Sequence, residues 1–441
     1  MDSIWSKTEN LPQFETLSND LSVDVLIIGG GITGLLCAYQ LEKAGVRYVL
    51  VEAERICSGI TKNTTAKITA QHGLIYHKLI ARYGTELAQM YLTANQMALR
   101  EYQNLCNTID CDFQMKNNFV YSIDQKELLE REMSALMKLG YTADFYQSLP
   151  LPFPVAGAVC FQNQAQFHPL KFLSRIAQGL KIYENTAVKQ LTEHTAITDK
   201  GRIAAKNIIV TTHFPFLNKH GSYFLKMYQN RSYVLACKNA PLLNGMYLDA
   251  EEKGMSFRNY RDLLFIGGGS HRTGKQGGNW DELEQFSAKY FPASREIGRW
   301  ATQDCMTLDG IPYIGNYSKH TPHFYVATGF NKWGMTSAMV AAKILADRIV
   351  GKRNPYAPVF SPSRSMFHPQ LIVNAFEAAK NLLAISPRRC PHMGCALKWN
   401  AREHSWDCPC HGSRFTKEGK LLDNPSTGDL RLKPEKENWM P

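Results

Sequence analysis

The chain has 441 residues, 44% of them apolar and 20% charged, which suits a globular protein of two ordinary domains plus a small module and excludes a disordered chain. Its formal charge of +11 is spread over dispersed Lys and Arg residues with no basic run interleaved with aromatics, so nucleic-acid binding is not expected. No apolar run reaches the length of a bilayer span, Met1-Asp-Ser-Ile-Trp5 lacks a basic region ahead of an apolar core, and most of the eleven cysteines show no framework spacing; a cytoplasmic location is expected.

Residues up to Ser22 are polar and irregular, the composition of a strap over the surface. Val23-Asp-Val-Leu-Ile-Ile28 then reads as a buried parallel strand, followed at once by Gly29-Gly-Gly31-Ile-Thr-Gly34 and by Ile32, Leu35, Leu36 and Tyr39 on one helix face. A second strand, Tyr48-Val-Leu-Val51, ends at Glu52. In this order every position has a physical role. Gly29 makes the tight turn, Gly31 admits a pyrophosphate to the helix N-terminus, and Gly34 lets helix and sheet pack closely. Glu52 can accept from ribose hydroxyls. The unit therefore predicts a bound dinucleotide.

Arg55 to Gly73 is long for a strand-to-helix connection and dense in Gly, Thr, Ser and Lys, as expected of a segment laid along an extended cofactor. Within it His72 is read as a surface or structural residue, with a place beside the cofactor as the second option. A long helix is expected from Tyr83 to about Ile109, with Leu87, Met90, Tyr91, Ala94 and Met97 on its core side. Phe119–Ser122 reads as a strand, Asp124 as the N-cap of a helix stopping at Gly140, and Pro169 as the opening of another helix. Lys181–Tyr183, Ala187-Val188, the turn Asp199-Lys-Gly201 and the strand Asn207–Val210 follow. The aromatic, alternating stretch of about 221–300 predicts an antiparallel sheet, and Gly267–Gly269 a turn within it rather than a second nucleotide loop. Asp309-Gly-Ile-Pro312-Tyr-Ile-Gly315 is a turn before a strand; Phe324-Tyr-Val-Ala-Thr-Gly329-Phe-Asn-Lys-Trp333-Gly334-Met335-Thr336 is strand, glycine turn and a helix running to about Val350. After Gly351 comes a proline-bearing linker, then a helix from about Pro369 to Leu383.

The Arg55–Gly73 segment and the Asp309–Thr336 signature resemble the D-amino-acid oxidase and glycine oxidase family of FAD enzymes. The resemblance implies FAD as the dinucleotide. It also implies that the backbone at Val188 meets the adenine, and that Gly329, Gly334 and Met335, at the turn and helix N-terminus, face the flavin, where backbone N–H groups favour negative charge. Amino-acid-oxidising relatives place a carboxylate-gripping arginine five residues before the Asp309 position. Here that place is Asp304, so an anion is repelled unless Arg258, Arg261 or Arg272 substitutes.

The last motif is Cys390-Pro-His392-Met-Gly-Cys395, then Cys408-Pro-Cys410-His411-Gly-Ser413, two tight pairs that each offer one thiolate and one imidazole fifteen residues apart. Cys390, His392, Cys408 and His411 make the ligand set of a Rieske [2Fe-2S] centre, and also that of a structural zinc. Against zinc stand Cys395 and Cys410, which a zinc finger would leave without a role. The loops resemble the CTHLGC and CPCHGS of respiratory Rieske proteins, which implies a Cys395–Cys410 disulfide. Where those proteins have a tyrosine that donates to a ligand sulfur, this chain has Phe415, so a potential below the respiratory type is expected. Too few residues follow Arg388 for a whole supporting barrel, so the module is either trimmed and leaning on the preceding domain or degenerate.

The expected fold class is α/β: a Rossmann-like FAD-binding domain with an antiparallel-sheet substrate domain, plus a small all-β cluster module. The oxidoreductase domain spans 23–351, with nucleotide-binding parts at about 23–80, 168–215 and 305–351 and substrate parts at about 81–167 and 216–304; linker and helix occupy 352–386, and the Rieske module 387–441. The expected function is oxidation of a small amine or amino-acid-like donor at FAD, with electrons passed singly through the [2Fe-2S] cluster to an acceptor such as an acidic ferredoxin- or flavodoxin-type protein. A non-catalytic electron-transfer or redox-sensing protein is the alternative. No catalytic base and no covalent flavin link can be named.

Overall fold

The computed structural model describes residues 2–217, 220–251 and 253–431; the end of the expected cluster module, 432–441, lies outside them. Its first sheet is eight-stranded, with central order Tyr313–Asn316, Phe324–Thr328, Arg202–Val210, Leu21–Ile28, Tyr48–Val51, Ile182–Tyr183, all parallel but for the first pair. Register aligns Ile28 with Val51 and with Val210, and Val210 with Val326, so these strands end side by side. The residues next in register, Gly29, Glu52 and Thr211 past their strand ends and Ala327 near the end of its strand, therefore share one crevice, where open parallel sheets bind ligands. The helices Ile32–Lys43 and Gly334–Ile349 pack together against the sheet; Leu35, Leu36, Ala38, Ala338, Met339 and Ala342 belong to one fully buried cluster.

The second sheet has nine strands, with Arg295–Thr307 at one edge, then Met227–Lys238, Leu263–Arg272, Ser256–Tyr260, Met246–Asp249, Gln114–Ser122, Gly157–Gln166 and Lys67–Ile68. It is antiparallel except where Met246–Asp249 runs parallel to Gln114–Ser122. Lys67–Ile68 joins this sheet although it sits in the stretch expected to belong to the nucleotide-binding part. The cluster module is a four-stranded antiparallel sheet of three-residue strands, Lys398–Asn400, Ser405–Asp407, Arg414–Thr416 and Leu421–Asp423.

Several local expectations change. The N-terminal strap contains a helix, Ile4–Thr8, because Ser3 Oγ accepts from Ser6 N–H and Trp5 is fully buried with its Nε1 donating to Thr64 O at 2.7 Å. The long helix begins at Tyr76, not Tyr83, and runs to Cys106 across a kink at Gly84, whose φ of 81° only glycine adopts freely. Gln125, not Asp124, occupies the cap of helix Lys126–Lys138, its N–H donating to Ser122 Oγ at 3.0 Å. Gly267–Gly269 lie inside the strand Leu263–Arg272 instead of forming a turn; a Cβ on them would meet Ser256 Oγ at 2.7 Å, and Met255 Sδ and the Asn279 backbone carbonyl closer still. The helix Pro369–Leu383 stands where expected, but instead of serving as a mere linker it lies along the module, with Ala396 N–H donating to Asn381 O at 2.9 Å.

Candidate functional site

The glycine turn is held from both sides. Gly29 has φ 109° and donates from N to Val51 O at 2.9 Å, while any Cβ on Gly34 would run into the Gly29 carbonyl. Glu52 Oε2 accepts from Gly30 N–H at 2.6 Å and Oε1 from Glu54 N–H at 3.0 Å, which fixes the carboxylate at the strand end. Burial raises the Glu52 carboxyl above its usual range, against the pull of those two N–H groups. Thr61 Oγ1 accepts from Ile32 N–H at 3.1 Å, a contact at the helix N-terminus that the sequence did not single out.

A cavity of about 1270 Å³ opens here. Drug-sized ligand pockets run about 300–1,000 Å³, so it has room for a dinucleotide and a small substrate together. Gly29, Gly31, Glu52, Val188, Gly329, Gly334 and Met335 all line it, and Gly34 lies behind as packing. At its far end Gly329 turns with φ 71° and the helix Gly334–Ile349 begins at Trp333 with no side chain capping it, so its first N–H groups are left for a ligand. His72 is buried there: Nδ1 meets Tyr91 Oη at 2.7 Å, Nε2 meets Thr69 O and Thr336 Oγ1 at 2.9 Å, and the ring stacks on Trp333 at 4.8 Å. Burial lowers its pKa to about 3. It is thus a neutral residue that braces the helix N-terminus and lines the cavity, not a surface one.

The edge strand Arg295–Thr307 of the second sheet and its neighbour Met227–Lys238 wall the cavity with Tyr228, Ser232, Thr302 and Asp304. Asp304 is half-buried and burial raises it to about 6, against the nearby charges of Lys332 and Arg231. None of the three arginines that might replace a carboxylate clamp lines the cavity. Arg258 is buried with its guanidinium 5.5 Å from the Trp5 ring and 5.2 Å from that of Phe265; Arg261 pairs with Asp112 at 3.3 Å. Arg272 donates to Pro409 O at 3.0 Å and Cys410 O at 3.1 Å, in the cluster module.

The two cluster loops have the same backbone wiring. Cys390 N–H donates to Cys395 O and Gly394 N–H to Cys390 O, both at 2.9 Å; Cys408 N–H donates to Ser413 O at 2.8 Å and Gly412 N–H to Cys408 O at 2.9 Å. The loops face each other with the His392 and His411 rings 4.9 Å apart. His411 Nδ1 is buried with no hydrogen-bond partner among the described residues, a position that a metal would satisfy. Burial lowers His392 to about 4 and His411 to about 3, so both imidazoles are the neutral form that ligates iron. The Cys390 thiol is raised by hydrogen bonding to Cys408 and by burial, with Ser413 acting the other way. The sulfurs of Cys395, Cys408 and Cys410 lie within 4.8 Å of one another, and Cys395 and Cys410 carry free thiols. Phe415 is fully buried and pairs with Trp406 across the sheet.

The module is locked to the oxidoreductase domain through the same two strands that wall the cavity. Side chains alternate between the faces of a strand. Gln229 Nε2 donates to His411 O at 2.7 Å and to Asn424 O at 3.0 Å; Gln303 Nε2 donates to Gly412 O at 2.8 Å and to Gln229 Oε1 at 2.6 Å. Arg231 makes a buried ion pair with Glu403, which Arg414 also holds at 2.8 Å and Tyr233 Oη at 2.9 Å. The imidazoles of both loops rest on Phe214, just past the cavity residues Thr212 and His213. Two β-strands therefore form a septum: Tyr228, Ser232, Thr302 and Asp304 face the cavity, and Gln229, Arg231 and Gln303 face the cluster loops. None of these docking residues was expected from the sequence; the polar run Gln229-Asn230-Arg231, buried in a strand, is the signal that was there to read.

The crevice at the end of a parallel sheet, roofed by a second sheet and backed by an iron-sulfur module, defines a flavoprotein oxidoreductase. The chain belongs to the FAD dependent oxidoreductase family, whose model matches residues 24–348, and residues 362–434 match the Rieske [2Fe-2S] domain. Its cofactors are accordingly FAD and a [2Fe-2S] cluster. It is 36% identical to the Bacillus subtilis (strain 168) protein YhfW, described as a Rieske 2Fe-2S iron-sulfur protein, over 98% of this chain and 97% of that one. It is 24% identical to the gamma-glutamylputrescine oxidoreductase of Escherichia coli (strain K12), over 77% of this chain and 86% of that one. In fold it is similar to glycine oxidase from Geobacillus kaustophilus, at a TM-score of 0.66 and 20% identity, covering 78% of this chain and 99% of that one.

Proposed function

We propose that this enzyme oxidises a small amine or amino-acid-like donor in the cavity and sends the electrons singly across the septum to an acceptor on the cluster side. When bound, FAD takes up a hydride equivalent and the [2Fe-2S] cluster carries one electron at a time. The observation that carries this is the septum: the strands Met227–Lys238 and Arg295–Thr307 offer one face to the cavity and the other to the cluster loops.

Gly29, Gly31 and Glu52 hold the nucleotide, Gly34 keeps helix and sheet close, Val188 meets the adenine, and the N–H groups at Gly334 and Met335 favour negative charge near the turn at Gly329. Cys390, His392, Cys408 and His411 ligate the cluster, and Cys395 and Cys410, whose sulfurs lie within 4.8 Å of each other, clamp the loops by a disulfide. Asp304 is the recognition group for the donor: ionised above about pH 6, it pairs with an ammonium. The names of the relatives, an oxidoreductase of gamma-glutamylputrescine and an oxidase of glycine, support an amine donor. The acceptor is an acidic redox protein, drawn by the excess of positive charge, and the buried free thiols outside the cluster loops, such as Cys37, Cys57 and Cys160, fit a reducing cytoplasm.

The test is anaerobic mixing of the holoenzyme with a panel of cationic amines and amino acids, followed by flavin absorbance and cluster EPR. Bleaching of the flavin followed by a reduced-cluster signal is expected with a cationic amine. Silence across the panel would refute a catalytic role.

A further inference from the structure

The helix Pro369–Leu383 is amphipathic the wrong way round. At helical spacing Asn374, Glu377 and Asn381 form one stripe, and all three are buried against the protein: Asn374 Nδ2 donates to Leu225 O at 3.0 Å, Glu377 pairs with Lys275, and Asn381 Nδ2 donates to Glu377 O at 2.7 Å. The opposite stripe, Ile372, Phe376 and Leu383, faces outward, extended by Phe367 before the helix and Ile385 after it. Phe367 is 88% and Leu383 84% exposed. A ridge of bulky apolar side chains this bare marks an interaction surface.

Its charge selects the partner. Between Lys352 and Arg402 the sequence has eight basic residues, two of which, Arg364 and Arg402, are paired with Asp309 and Asp281, and a single acid, Glu377, which is turned inward. The ridge is flanked by cations at both ends: Arg82 donates to Phe367 O at 2.6 Å, and Arg389 donates to Leu382 O at 3.1 Å and to Ala384 O at 2.8 Å, while Lys380 is exposed beside the stripe. A second copy docking by two-fold symmetry would set the cations at the ends of one ridge against those of the other. A convex apolar ridge with a basic rim instead matches a helix lying in the headgroup region of a bilayer, its apolar face sunk into the acyl boundary. No helix among the described residues is long and apolar enough to cross a membrane, so the contact is with the surface.

We propose that the exposed face of the helix Pro369–Leu383 binds an anionic lipid surface. The inner face of the helix touches the cluster loops, with Glu377 O 3.9 Å from Cys410 Sγ. The bilayer would therefore lie about one helix diameter, roughly 10 Å, from the cluster-binding loop.

The experiment is co-sedimentation of the full-length holoenzyme with vesicles of phosphatidylglycerol and phosphatidylcholine in equal parts, and with phosphatidylcholine alone. Binding to the anionic vesicles, weakened by salt, is expected. The triple substitution Ile372→Ser, Phe376→Ser, Leu383→Ser removes only exposed side chains; it should lower the partition roughly a hundredfold while flavin and cluster absorbance stay unchanged. Lys380→Glu should weaken binding to the anionic vesicles several-fold. Failure to sediment with either vesicle, or equal binding by the triple variant, overturns the proposal. A dimer in solution that the triple variant dissolves would assign the face to a second copy and equally overturn it.

Discussion

The two cofactor sites of this chain are built in opposite ways. The flavin site is made of backbone: strand ends aligned by sheet register, a glycine turn, and helix N-termini whose N–H groups need no side chain to aim them. The packed cores of two large sheets hold it in place. The cluster site is made of two wired loops on a sheet of three-residue strands, with Cys390, Cys395, Leu397, Cys408, Cys410 and Phe415 as its buried apolar cluster among the described residues. So small a core supplies little stability. What it lacks is provided by buried polar locks to the other domain, so the module is an attachment to the oxidoreductase, not a free-standing barrel.

That contrast is broken most severely at Glu403. Glu403→Gln leaves buried Arg231 with only Asp423 at 4.0 Å and Arg414 with Asp407 and Asp423, and should destabilise the docked module by about 3–5 kcal/mol, read as earlier loss of cluster absorbance on heating while the flavin transition moves less. Burial alone would raise Glu403, but Arg231 and Arg414 hold it at about 2. Its contribution is therefore full above the ordinary carboxylate range and lost as pH falls through about 2, so the wild-type cluster transition should drop on acidification toward pH 2 and the variant's should respond less. Next in size is Gln229→Leu. It leaves His411 O and Asn424 O without their donor and should cost about 1–3 kcal/mol, with slower passage of electrons to the cluster and unchanged reduction of the flavin.

On the cavity side, Asp304→Asn should raise the KM for a cationic donor about tenfold, the worth of one charged hydrogen bond. Because Asp304 ionises at about 6, the wild-type KM should fall as pH rises through that value, and the variant should lose this dependence. The smallest effect is expected at Phe415→Tyr, which offers a hydroxyl to a site that lacks it; an EPR-monitored redox titration should show a higher potential than wild type.

What could be read in advance followed the same divide. Gly29, Gly31, Gly34 and Glu52 are legible because a turn, a close approach and a strand end each demand one residue type within a short span. The cluster loops are legible because their ligand chemistry is confined to six residues each, and the helix Pro369–Leu383 because proline opens it and periodicity carries it. The septum was not legible: Gln229 meets His411 across 182 residues, and no local pattern records a hydrogen bond of that separation. The five-residue helix at Ile4–Thr8 is too short for a periodic signal, and glycines set inside a strand by crowding look, in one dimension, like a turn.

The central claim is that the flavin cavity and the cluster loops share one thin wall. Laser-flash reduction of the flavin in the anaerobic holoenzyme, with cluster absorbance followed in time, addresses it without any knowledge of the substrate. A cluster signal that grows as the flavin reoxidises is expected, at a rate independent of protein concentration and lower in Gln229→Leu. A cluster that stays oxidised beside a reduced flavin, or whose reduction rate scales with protein concentration, would contradict it.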